Sequence, residues 1–170
     1  VSDFSDASFI KLAKDNQKKL VELLINLGAD VNMSNINDET PVMKASESGN
    51  KEIVELLIKS EASLKGSDIA GNNILIKACN SGNKEIVELL IKLGINTNET
   101  NNAGETALII SAQKNNKEIV ELLIKNKANV NIKNKEGCTA LSYAKFLNYK
   151  EVVQLLVKAG ANTDVKIPSI

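Results

Sequence analysis

Val54-Glu55-Leu56-Leu57-Ile58 decides the fold, because the chain repeats it. The same run stands at Val21–Ile25, Val87–Ile91 and Val120–Ile124, and returns as Val153-Gln154-Leu155-Leu156-Val157. The step between copies is 33 residues each time, with no insertion. A second marker keeps that step: Asp38, Gly71, Gly104 and Gly137. The two markers divide the chain into five frames, at 5–37, 38–70, 71–103, 104–136 and 137–169, leaving Val1–Phe4 and Ile170 outside. A fixed period of roughly 20–50 residues marks stacked supersecondary units, each unable to bury its apolar face alone.

Within a frame the pattern reads helix, turn, helix, extended arm. Thr40-Pro41 opens a first helix, with a capping hydroxyl followed by Pro at the first helical position. Small residues follow (Ala45-Ser46, Ala78-Cys79, Ser111-Ala112) and let helices approach closely. Gly49-Asn50 and Gly82-Asn83 break the chain before a second helix, which carries Glu in its first turn at Glu52, Glu85, Glu118 and Glu151. Glu-to-Lys pairs four apart (Glu55/Lys59, Glu88/Lys92, Glu121/Lys125) add about 0.3 kcal/mol each. Gly28, Gly94 and Gly160 end the second helix in the left-handed conformation. Glu61 and Lys127 hold that place in the second and fourth frames, where strain of about 1 kcal/mol each is expected.

These residues resemble the ankyrin repeat, with its 33-residue period and Thr-Pro-Leu-His-x-Ala string. Thr40-Pro41-Val42-Met43-Lys44-Ala45 is the nearest copy, and Gly28-Ala29-Asp30-Val31-Asn32 and Gly160-Ala161-Asn162 look like the family's Gly-Ala-Asp-x-Asn segment. The resemblance implies an all-α solenoid of helix-turn-helix pairs with extended β-turn arms, forming one domain over residues 1–170. There are departures. Met43, Ile76, Ile109 and Ser142 replace the family's His, and with it the hydrogen bonds it makes. Asn73-Ile74 replaces Thr-Pro, so looser turns are expected in the third frame.

Composition excludes several function classes. The 21 cations and 21 anions cancel, every cation is Lys, and there is no Arg, His or Trp. Without His, Ser-His and Cys-His nucleophile pairs and Cys₂His₂ zinc sites cannot be built. Without Arg or net positive charge, a nucleic-acid footprint is missing. No apolar run reaches the ~18 residues of a membrane span. Two cysteines make no disulfide framework and favour a reducing compartment, which points to the cytoplasm. The 22 Asn are dispersed at turns and arms, where their side chains cap backbone.

No catalytic constellation emerges, and no cofactor or metal is expected. Glu55, Glu88 and Glu121 fall in a row on successive second helices, at carboxylate spacings that superficially suit a glycosidase. They are read as a solvated face partnered by Lys. Cys79 reads as a buried structural thiol, and Cys138 falls in a turn where it is expected to be exposed.

What remains is a surface. In proteins with this resemblance, arm tips and the exposed side of the first helix line a concave face that binds other proteins. Carried over by position, that face includes Ile69, Asn72 and Asn80, then Glu105, Ile110, Gln113 and Lys114, then Lys133, Cys138, Tyr143, Phe146 and Leu147. Tyr143, Phe146 and Leu147 share one side of a helix by their i, i+3, i+4 spacing. With Ile110 they form the expected aromatic hot spot, rimmed by Lys114 and Lys133 and suited to an acidic or amphipathic partner. Lys44, Glu47 and Lys77 hold the matching places in earlier frames and are poor anchors. Net charge runs from −4 over residues 1–70 to +4 from residue 104 onward.

Two functions follow as expectations: a non-catalytic protein-binding solenoid, or the targeting or regulatory arm of a larger enzyme or secreted effector. The first frame, with Lys11, Lys14, Asp15, Lys18 and Lys19, reads as a polar cap. The fifth, with Val152, Val153, Leu156 and Val157, reads as an open apolar end, implying a monomer or weak self-association.

Overall fold

A computed structural model describes the backbone of residues 5–169 and side chains from Ser8 onward. Ten helices lie two to a frame among these residues: α1 Ser5–Lys14, α2 Lys18–Asn26, α3 Pro41–Glu47, α4 Lys51–Lys59, α5 Ile74–Ser81, α6 Lys84–Lys92, α7 Ala107–Gln113, α8 Lys117–Lys125, α9 Ala140–Phe146 and α10 Lys150–Lys158. The only strand-like pairings among them are isolated bridges, Ser67 with Asn73 and Thr100 with Thr106. The fold is an all-α repeat. Two compact units divide it, the first ending at Ile86 and the second beginning at Val87.

In the first unit α3 packs between α1 and α5, and α2 lies against α4. Phe9, Ala13, Val42, Met43, Ala45, Ile74, Leu75 and Ala78 are buried between the first helices, while Val21, Ile53, Val54 and Leu57 bury the second helices. In the second unit α7 packs on α9 and α8 on α10, over Leu108, Ile109, Ile119, Val120, Leu123, Leu141, Val152 and Leu156. Each such aliphatic contributes about 1.5–3 kcal/mol when fully withdrawn from water.

Helix boundaries follow from local chemistry. Thr40, Thr106 and Thr139 cap their first helices by accepting from Met43 N, Ile109 N and Ser142 N. The third frame is not looser. Asn73 Oδ1 accepts from Ile76 N at 2.9 Å, a shorter bond than the 3.4 Å made by Thr40, because Asn caps as well as Thr and its carbonyl reaches further. Ser142 also makes good part of the missing His: its Oγ accepts from Thr139 N at 2.9 Å, closing a capping box. Glu61 and Lys127 do adopt the left-handed conformation, at φ 64° and 66°, where Gly28, Gly94 and Gly160 stand in the other frames.

The arms of the first four frames are each organised by one position. Oδ1 of Asn35, Asp68, Asn101 and Asn134 accepts from the backbone N–H groups two and four residues on, at 2.8–3.1 Å. Each is a side-chain turn that folds the arm tip back on itself. Neighbouring tips then hook together, Ile69 N donating to Asn37 O and Lys135 N to Ala103 O. The second hook explains Gly104: a Cβ there would stand 2.9 Å from Lys135 N. At the base of the arms, Asn32, Asn98 and Asn131 accept from the backbone of the following frame, at Ser63, Asn129 and Asn162.

Candidate protein-binding surface

The side chains on the arm-and-first-helix face arise from a slot that recurs every 33 residues. Lys44, Lys77, Ile110 and Tyr143 occupy it, each at the fourth position of its first helix. The slot is filled with charge in the first unit and with apolar surface in the second.

In the first unit, Lys77 is 4% exposed, not a solvated face residue. Its ammonium sits 2.8 Å from Asp68, 3.0 Å from Glu39 and 3.4 Å from Glu47. Lys44 completes the cluster, 3.1 Å from Glu39 and 2.5 Å from Glu47. Burial works to lower both lysine pKa values, and the surrounding carboxylates outweigh it and raise them. Burial alone would raise the Glu39 carboxyl. Hydrogen bonds from Asn35, Lys77 and Lys44 prevail and hold it at about 2, against an ordinary 4.5. Burying charge is tolerable only with such pairing. Around the cluster, Ile69 is 60% exposed and Asn80 is exposed. Asn72 is half-buried and spends its amide on Asp68.

The second unit presents a different face. Phe146 is 43% and Leu147 38% exposed, at the end of α9. Tyr143, half-buried, accepts at its hydroxyl from Asn134 Nδ2 at 2.9 Å, which fixes the ring against its own arm. Burial is the main reason its pKa rises. Ile110 is half-buried in the matching slot of α7, and Lys114 and Lys133 are exposed. Gln113, also half-buried, donates to Glu105 Oε1 at 2.8 Å, and Glu105 is further held by Asn101.

Cys138 must be withdrawn from the surface. It is fully buried, its N–H bonded to Asn134 Oδ1, because the arm folds it beneath the turn instead of presenting it. Burial raises its thiol pKa. Cys79 is fully buried as well. The glutamate row has lysine neighbours, Lys51 3.8 Å from Glu55 and Lys92 3.9 Å from Glu88.

Sequence reasoning missed the Glu39–Lys44–Glu47–Asp68–Lys77 cluster, and the Asn134 support of Tyr143. The available signal was the coincidence of Lys at both 44 and 77 with acid at 39, 47 and 68. It also read the first frame as polar, whereas Leu20, Leu23 and Leu27 are 46%, 52% and 74% exposed on α2. In the fifth frame Val152 and Leu156 are fully buried, as their counterparts are in the three frames before it, while Val153 is half-buried and Val157 42% exposed.

No helix among the described residues is long and apolar enough to cross a membrane. No curated protein matches the chain significantly. The family model for ankyrin repeats, which spans three copies, matches residues 9–101 and again residues 93–167. Ankyrin repeats are generally protein-protein interaction modules, and the fold they form is typically non-catalytic. With period, helix pairs, arm turns and family match in agreement, this chain belongs to the ankyrin-repeat family.

Proposed function

We propose that the chain is a non-catalytic module that binds a partner protein on the arm-and-first-helix face, with its hot spot in the second unit. One observation carries the reading: Phe146 and Leu147 are exposed beside a Tyr143 whose ring is already held by Asn134. An aromatic anchor that is fixed before binding loses little freedom on association. Ile110, Gln113 and Glu105 extend the patch, and Lys114 and Lys133 favour an acidic or amphipathic partner segment. In the first unit the slot lysines are consumed by ion pairs, so Ile69, Asn72 and Asn80 supply only peripheral contacts. Neither Cys79 nor Cys138 forms a disulfide and both are buried, which suits work in a reducing compartment such as the cytoplasm.

The test is Phe146→Ala. Against a partner captured by the immobilised chain and then purified, calorimetry should show affinity weakened by about 2 kcal/mol, with the circular dichroism spectrum unchanged. Equal affinity in the variant would remove the hot spot from α9.

A further inference from the structure

The two units spend their arm glutamates differently. Glu39, directly before the Thr40 cap, takes Lys44 of its own frame at 3.1 Å and Lys77 of the next at 3.0 Å. Glu105 holds the same place before Thr106, but the two slots that follow it contain Ile110 and Tyr143, so no lysine answers it there. Neutral donors do instead. Gln113 Nε2 donates to Glu105 Oε1 at 2.8 Å and Asn101 Nδ2 to Oε2 at 3.3 Å. Both oxygens are occupied without neutralising any cation.

The lysines of this face are therefore left over. Lys114 at the end of α7, and Lys133 and Lys135 in the fourth arm, are exposed and make no ion pair among the described residues. One exposed carboxylate, Glu136, stands against them in that arm. Their placement brackets the aromatic surface. Lys133 and Lys135 flank Asn134, whose amide is bonded to Tyr143. Lys114 holds on α7 the place that Leu147 holds on α9, and the two helices pack together.

A following frame does not close such a surface. Ser48 and Lys114, the counterparts of Leu147, are exposed although α5 packs on α3 and α9 on α7; Glu47 and Gln113, the counterparts of Phe146, are only half-buried. Resting on the hot spot at Phe146, we propose that the partner segment is acidic. It lays an apolar side chain on Phe146 and Leu147 and brings carboxylates to Lys114, Lys133 and Lys135. A neutral or basic segment of equal apolar content is turned away, because it would desolvate these lysines without pairing them.

The probe is a set of random displayed peptides selected on the immobilised chain and then synthesised. Those enriched should carry surplus Asp and Glu around an aromatic or aliphatic residue. In fluorescence anisotropy they should bind K114E/K133E about tenfold more weakly, two exposed attractions having become repulsions. About 0.5 M salt should cost the parent chain a similar factor and the variant little. Phe146→Ala should weaken them about thirtyfold. Both lysines are exposed, so the circular dichroism of K114E/K133E should match that of the parent. Enriched peptides without an acidic surplus, or acidic ones that bind K114E/K133E as tightly as the parent, overturn the proposal. If those peptides still lose affinity on Phe146→Ala, the hot spot itself stands. Peptides indifferent to Phe146→Ala, or none enriched over that variant, overturn both. Self-association of the chain that Phe146→Ala abolishes would give the surface to a second copy and overturn the acidic partner.

Discussion

At the scale of single residues, the frames act as internal controls on one another. Ser46 is fully buried with no hydrogen-bond partner for its hydroxyl, whereas Ala13, Cys79 and Ala112 fill the same place in other frames. A buried unsatisfied hydroxyl is costly, so Ser46→Ala should raise stability by about 1 kcal/mol in urea unfolding. Glu61 and Lys127 offer the second control. Each holds a left-handed conformation that Gly adopts freely, so Glu61→Gly and Lys127→Gly should each stabilise by about 1 kcal/mol. A loss of stability in either would mean the side chain contributes more than its backbone strain costs. These positions were legible because strain depends on local sequence alone. The burial of Cys138 was not: it depends on how Asn134 folds an arm, and Asn is permissive enough at a turn to fold it in several ways.

Among elements, the charged slot between α3, α5 and the arms decides the behaviour of the first unit. Removing Lys77 leaves Glu39, Glu47 and Asp68 with Lys44 alone, so Lys77→Met should cost about 3 kcal/mol. The same cluster sets a pH dependence. An unfolded chain protonates Glu39 near 4.5, whereas the folded one resists until about 2. Stability from this group is complete above that window and falls as pH drops from about 5 to 2, with lowered Asp68 adding in the same direction. Glu39→Gln should flatten the acid limb of a plot of urea midpoint against pH. Helix pairs and caps could be read from the chain because their signals lie within a few residues. The cluster could not, because Glu39 and Lys77 are 38 residues apart and meet only when neighbouring frames pack.

For the molecule as a whole, stability belongs to junctions between frames more than to frames. A peptide of residues 38–70 alone should be largely unfolded by hydrogen exchange, and stable protection in it would contradict stacking as the source of order. Within the full chain, α10 should exchange faster than α8, since Val153 and Val157 are less covered than Val120 and Ile124. The repeat period made the all-α architecture plain from the start, yet the exposed stripe on α2 was hidden behind its lysines, since polarity was judged by residue count and not by side. The Asn32, Asn98 and Asn131 bonds carry one more consequence. Each spans 31 residues to the backbone of the next frame. A gene that gains or loses a block of 33 codons would keep every such joint in phase, whereas one of 32 would break it. Joints of one fixed length thus let whole frames be added to the array without stretching or shortening those already made.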